Sequence, residues 1–230
     1  MKILSFFFLL LSFQIMAETD FEKAEKLFQQ QKWEQSKALF ESFLKSNPNN
    51  YKTIEYLGDI AGHQKKWDEA IDQYKILKIQ FPKTANYYYK FGGALGMKAK
   101  SVTKWKAIGL LDEIETSFLT AAKLDPKHIE TRWALVMFYI ELPGIIGGSE
   151  NKATKYSNEL MQLSKVDGYL SRGYINEYFN RYKNAELDYI KAHEIGNSKT
   201  TFLKLYNLYL NKLKDKTKAS KLKEQFERKV

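Results

Sequence analysis

The chain has 230 residues with 37 Lys and Arg against 27 Asp and Glu, a formal net charge of +10, and no cysteine. A disulfide framework and thiol chemistry are therefore excluded. Four prolines, 12 glycines, 44 % apolar and 28 % charged residues exclude a disordered or collagen-like chain and fit one folded, helix-rich unit.

At the N-terminus Lys2 precedes an apolar run from Ile3 to Phe13, and Ala17 offers a small residue just before Glu18. This order of parts is that of a signal peptide over residues 1–17. At 11 residues the run is shorter than a spanning helix needs, so the expectation is a cleaved export signal, with an uncleaved membrane anchor as the alternative. The mature protein, 18–230, is then expected outside the cytoplasm, periplasmic or secreted, with no linker and a single helical domain.

Beyond the leader the chain repeats. "KWEQSKALFESFLKSNP" lies over "KWDEAIDQYKILKIQFP", pairing Trp33 with Trp67, Ser36 with Ala70, Phe40 with Tyr74 and Pro48 with Pro82, each 34 residues apart. The same step carries Leu57 to Phe91 and Gly58 to Gly92. In chain order, Ala24, Leu27 and Phe40 outline a first helical hairpin. Ile54, Leu57, Gly58 and Ala61 lead to Ala70 and Tyr74 in a second, and Tyr88, Phe91, Gly92 and Leu95 open a third. Trp133 and Tyr139 with Ala153 mark a fourth. Tyr169, Gly173, Ala185, Tyr189 and Ala192 mark a fifth, and Leu203, Leu210, Ala219 and Phe226 a sixth.

This spacing resembles the tetratricopeptide repeat family, whose signature is W-x2-L-G-x2-Y, A-x3-F and P at a period of 34. The resemblance implies an all-α, right-handed superhelical solenoid of about six antiparallel hairpins. Gly58, Gly92 and Gly173 fall inside apolar-periodic helices, where glycine costs roughly 1 kcal/mol against alanine. Close helix approach offsets that cost, with Ala70 and Ala185 as the expected small partners and Trp67, Tyr74 and Tyr189 filling the space between hairpins. Pro48, Pro82 and Pro126 end second helices; Ser164 to Gly168 is expected to make the same turn without proline.

Two insertions interrupt the period, one near residues 100–110 and one at "LPGIIGGS", 142–149. Turns within stacked hairpins emerge at one edge, so the two are expected to be neighbours. The glycine-rich stretch lacks the lysine and the preceding strand that a phosphate loop needs, and Ser149 reads as the N-cap of the next helix. Trp105, Pro143, Ile145 and Ile146, flanked by Lys104 and Lys106, are candidates for an apolar partner-binding edge.

The family resemblance also implies a concave groove lined by first helices. Its candidate partner-binding residues are Tyr89, Trp133, Met137, Tyr174 and Tyr178, with Glu55, Asp59, Glu141 and Glu177 among the charges; such a surface suits a peptide or an amphipathic helix. The lysine and asparagine set with which some relatives hold a chaperone's C-terminal carboxylate is unmatched. From Lys199 to Val230 ten basic residues face three acidic ones, which suits a polar terminal repeat or weak contact with an acidic surface. Export argues against nucleic acid.

His63, His128 and His193 fall in separate hairpins without an i, i+4 partner, so no metal set is expected. Glu113 cannot share a helix face with Asp112 or Glu115, and there is no nucleophile elbow. No cofactor and no catalysis are expected. The favoured reading is an exported protein-interaction scaffold, in an envelope assembly or transport complex. The alternative is a small-ligand accessory subunit with a pocket closed by the two insertions. As a whole the chain resembles exported bacterial repeat proteins.

Overall fold

The computed structural model describes residues 19–228. The expected signal peptide lies outside the described residues. Six helical hairpins follow: α1 (Asp20–Gln29) with α2 (Trp33–Ser46), α3 (Tyr51–His63) with α4 (Trp67–Gln80), and α5 (Ala85–Ser101) with α7 (Leu111–Leu124). The short α6 (Lys104–Ile108) occupies the turn of the third hairpin. Then come α8 (Ile129–Glu141) with α9 (Glu150–Leu163), joined through a 3-10 turn at Gly144–Ile146, and α10 (Lys165–Tyr178) with α11 (Tyr182–Gly196). The last pair is α12 (Lys199–Asn207), prolonged by a π-helical turn Leu208–Leu213, and α13 (Lys216–Glu227). Each hairpin packs on the next to form a continuous all-α solenoid.

Local chemistry sets the helix ends. Thr19 and Glu22 form a reciprocal capping box on α1, Glu22 N–H donating to the Thr19 hydroxyl at 3.2 Å and Thr19 N–H to the Glu22 carboxylate at 2.8 Å. The Asn50 side chain accepts from Thr53 N–H at 2.9 Å and starts α3. Pro48, Pro82 and Pro126 each follow the C-cap of a second helix, where the missing N–H is harmless. The turn between α9 and α10 differs from expectation. Ser164 alone is the end of one helix and the N-cap of the next, while Gly168 lies inside α10. A Cβ on Gly168 would stand 2.5 Å from the Met161 Cα, so the glycine allows α9 and α10 to cross closely rather than making the turn.

The repeat glycines have a different partner from the one their spacing suggested. An ideal Cβ on Gly58 would fall 2.7 Å from the Tyr74 ring, on Gly92 3.0 Å from the Phe118 ring, and on Gly173 2.4 Å from the Tyr189 ring. The aromatic ring of the second helix lies directly on the glycine of the first, within a hairpin. Ala70 and Ala185 sit one turn before these rings, fully buried, but they do not provide the contact. An aromatic ring laid flat on a bare backbone buries far more apolar area than an alanine methyl would. The Tyr74 hydroxyl then donates to Asp59 at 2.6 Å and that of Tyr189 to Glu177 at 2.9 Å, so the polar end of each ring is satisfied.

Arg132 is 4 % exposed. Its guanidinium donates to the backbone carbonyls of Asp125 at 2.7 Å, Ala122 at 3.1 Å and His128 at 3.2 Å, and its Nε to Glu159 at 3.3 Å. It therefore joins the end of α7 to α8 and α9. Arg132→Ala is expected to cost about 2 kcal/mol, because buried carbonyls lose their donor; thermal unfolding of the variant checks this, and an unchanged melting temperature would show the contacts to be dispensable.

Candidate functional site

A large apolar hollow lies on the face formed by first helices, between α5 and α8, with α7 as its floor. Its volume is about 610 Å³, and it is lined by Tyr89, Gly93, Gly96, Met97 and Lys100 of α5, Ile114 and Phe118 of α7, and Trp133, Met137 and Phe138 of α8. Ala107 of α6 and Leu142 close its end at the insertion edge. Gly93 and Gly96 explain why there is a hollow. Nothing lies within 4 Å of the Cβ position at either residue, so unlike Gly92 neither is needed for helix packing, and both leave a trough along α5.

The walls are held firmly. Trp133 Nε1–H donates to Asp167 Oδ1 at 2.8 Å, and Ser164 donates its hydroxyl to the same carboxylate at 2.6 Å, fixing the indole from the neighbouring α10. The Tyr89 ring stands 5.2 Å from the His128 ring and 6.3 Å from Phe118. Met97 and Met137 are the adaptable parts, 44 % and 39 % exposed; unbranched thioether chains re-pack readily against a variable apolar surface.

Of the sequence candidates, Tyr89, Trp133 and Met137 meet in this hollow. Tyr174 and Tyr178 lie outside it. The Tyr174 hydroxyl donates to Glu141 at 3.0 Å, and Glu141 also receives Lys100 Nζ at 2.6 Å. Tyr174 thus braces α10 against α8. Tyr178, 46 % exposed at the end of α10, meets Phe179 edge-on with centroids 5.4 Å apart. Gly93, Gly96, Met97, Ala107, Phe138 and Leu142 were not singled out by the sequence reading. A signal was present in "FGGALGM", where Gly93 stands in the register of Asp59 and has no counterpart in the repeat.

The groove-side carboxylates are occupied. Glu55 receives the Tyr87 hydroxyl at 3.2 Å and Lys90 Nζ at 2.6 Å, and Asp59 receives Lys90 as well as Tyr74. Burial, with the Glu55 charge behind it, pushes the Tyr87 hydroxyl up to about 12; burial and the bond to Glu25 do the same for Tyr56. These acids hold neighbouring repeats together and leave the hollow apolar.

The edge residues divide. Trp105 is 86 % and Ile145 94 % exposed, Pro143 is exposed and Ile146 half-buried. The glycines of the second insertion serve the turn. Gly147 adopts φ +104°, and a Cβ on Gly148 would overlap the Leu142 carbonyl oxygen at 1.8 Å. Ile146 and Gly148 N–H donate to the Pro143 carbonyl, Gly147 N–H to Gly144 and Ser149 N–H to Tyr139. Those N–H groups are consumed internally and form no anion cradle. The Ser149 hydroxyl accepts from Lys152 N–H at 3.2 Å as the N-cap of α9.

Each histidine has a local partner: His63 stacks on Trp33 with centroids 4.2 Å apart, His128 accepts from Thr131 N–H at 3.2 Å through Nδ1, and His193 meets the Thr201 hydroxyl at 3.0 Å. Glu115 accepts the Tyr139 hydroxyl at 2.5 Å, and Glu113 pairs with Lys78 at 3.5 Å. Among the described residues no group of three His, Cys, Asp or Glu side chains could hold a metal ion, and no helix is long and apolar enough to cross a membrane.

No protein-family model matches the chain, and no curated protein matches it by sequence. Solved structures do. The chain is similar to TTC0263, a thermophilic TPR protein of Thermus thermophilus, with a TM-score of 0.67 at 16 % identity over 83 % of this chain and 97 % of that one. It is similar to PilW, a type IV pilus biogenesis factor, with a TM-score of 0.62 at 14 % identity over 91 % of each. YrrB, a TPR protein with an unusual peptide-binding site, gives 0.54 at 15 % identity over 79 % of this chain and 87 % of that one. At these identities the likeness defines the fold: the protein is an all-α solenoid of the tetratricopeptide-repeat type.

Proposed function

We propose that the protein is a non-enzymatic interaction scaffold that holds an apolar-faced helix or extended peptide of another protein in the trough between α5 and α8. The observation that carries this reading is the pair of helix-interior glycines, Gly93 and Gly96, with open space above them. Each costs roughly 1 kcal/mol of helix stability against alanine, and the space they leave is bounded by Tyr89, Trp133, Met97 and Met137. Rigid aromatic walls with flexible methionines suit helix-in-groove binding, in which anchors enter at i, i+3 or i+4 spacing. The peptide site of YrrB and the assembly role named for PilW support the same class of work. Lys2, the run Ile3 to Phe13 and Ala17 support placing that work in the cell envelope. Tyr174 and Tyr178 would then flank the contact rather than anchor it, and the edge residues Trp105, Pro143, Ile145 and Ile146 lie beyond it.

A photocrosslinking amino acid at position 137 tests the proposal. It is expected to capture one protein in the cell, and the adduct should vanish when Gly93→Leu fills the trough. Capture that persists in the Gly93→Leu protein would place the contact elsewhere. A second reading follows from the volume, which at about 610 Å³ lies within the usual range for small-molecule sites. In that case native mass spectrometry of the protein from its own cells would find a small apolar ligand, absent after the same substitution.

A further inference from the structure

We infer that the edge formed by the hairpin turns is a docking surface for an anionic lipid bilayer, with Trp105 and Ile145 entering the interface and the turn lysines lying over the headgroups. This goes beyond the groove and does not depend on it.

The edge is continuous. Gln64 Nε2 donates to Glu34 at 2.8 Å, Lys98 pairs with Asp68, Lys100 reaches Glu141 at 2.6 Å, Arg181 reaches Glu150 at 2.6 Å and Lys218 reaches Glu186 at 2.7 Å. Each of these bonds joins one turn region to the next along the solenoid. The four ion pairs among them also neutralise Asp68, Glu141, Glu150 and Glu186. Left over are Lys32, Lys65, Lys104, Lys106 and Lys214, one or two at four of the six turns; among the described residues none of the five makes a side-chain hydrogen bond or an ion pair. Opposing charges nearby are Glu34, held by the neutral Gln64, Asp112 in the first turn of α7, and Asp215, the N-cap of α13 beside Lys214.

Two apolar side chains stand out from this basic strip. Trp105 is 86 % exposed between Lys104 and Lys106 on α6, which buries none of its residues. Ile145 is 94 % exposed on a turn that Gly147, Gly148 and the Ser149–Tyr139 hydrogen bond hold in one shape. Both project at the third and fourth turns, which Lys100 and Glu141 tie together. Ile108, 43 % exposed on the same short helix, and the exposed Pro143 stand on the same two turns, and none of the four lines the hollow. A bilayer interface needs no shape: it takes an indole at headgroup depth and an aliphatic chain just below, with lysines on anionic lipid. Single-stranded RNA would meet the charges but needs successive aromatic platforms; Ile145 offers none.

The test is cosedimentation of the full chain with vesicles of phosphatidylcholine alone and of phosphatidylcholine with roughly one third phosphatidylglycerol. Binding is expected to the anionic vesicles only and to fall in high salt. It should fall about tenfold or more with Lys104→Gln plus Lys106→Gln, and by a comparable factor with Trp105→Ala plus Ile145→Ala; all four side chains are exposed, so the melting temperature should stay as it is. Equal binding to both vesicle types, or binding unchanged by both variants, would overturn the inference, and would also be the result if the apolar run near the N-terminus acted alone. Tighter binding to a single-stranded RNA oligonucleotide, or a dimer in lipid-free solution that Trp105→Ala plus Ile145→Ala dissolves, would overturn it in favour of RNA or of a second copy.

Discussion

Gly173→Leu is expected to lower the stability of the protein by about 3 kcal/mol, and Gly58→Leu by about 2 kcal/mol. The first Cβ would already stand 2.4 Å from the Tyr189 ring and the second 2.7 Å from the Tyr74 ring, before any further side-chain atom is added. Both rings are buried, at 0 % and 6 % exposure, and each is tied at its far end by a carboxylate, so neither can swing aside without breaking that bond. At roughly 2–4 °C per kcal/mol for a chain of this length, Gly173→Leu should lower the melting temperature by roughly 6–12 °C. Equal melting temperatures for Gly173→Leu and wild type would contradict the placement of the ring on the glycine.

The same two tyrosines are expected to contribute to a steep alkaline limit, with Tyr56, Tyr87, Tyr139, Tyr174 and Tyr209 raised in the same direction. Burial first, and then the carboxylates of Asp59 and Glu177, raise both hydroxyls above the ordinary tyrosine range. In the unfolded chain tyrosine loses its proton near pH 10, whereas the folded protein keeps both. Above that pH the unfolded state binds fewer protons than the folded one. The stabilisation from the neutral hydroxyls is thus complete below about pH 10 and is lost as pH rises toward the folded-state values, at about 1.4 kcal/mol per pH unit for each tyrosine. Tyr74→Phe plus Tyr189→Phe should cost about 1 kcal/mol per lost hydrogen bond at neutral pH and flatten the alkaline limb. Urea unfolding across pH 8 to about 11.5 reads both effects; parallel alkaline limbs in the variant and the wild type would show that other groups set the limit.

The reading of sequence went furthest where the repeat imposes one environment many times. A step of 34 residues, as Trp33 to Trp67, Gly58 to Gly92 and Pro48 to Pro82, together with the resemblance to the tetratricopeptide signature, was enough to predict the fold. The identity of the contact at the repeat glycines was not legible, because an alanine one turn earlier has the same buried, small character in a single sequence. That the turn is made by Ser164 alone and does not extend to Gly168 was not legible, for a related reason. A turn of one residue leaves no cluster of turn formers, and Gly168 nearby mimicked one.

The groove was legible in part. Tyr89, Trp133 and Met137 follow from the groove positions that the family resemblance implies, but the hollow between them comes from what is missing at Gly93 and Gly96. Absence of a side chain does not distinguish a trough from a tight packing contact until the neighbouring helix is in place; Gly92, adjacent in sequence, is of the packing kind. Tyr174 met the same groove criterion but is not among the residues lining the hollow; its hydroxyl bonds Glu141, which does line it, a contact 33 residues distant that the family pattern does not contain.

The most direct test of the trough as the binding site compares Gly93→Leu plus Gly96→Leu with wild type, measuring melting temperature and retention of the protein captured through position 137. Open space at both positions predicts a melting temperature equal to or slightly above that of the wild type, since leucine is the better helix former, together with loss of the partner. Full retention of the partner by a stably folded double variant would contradict the account.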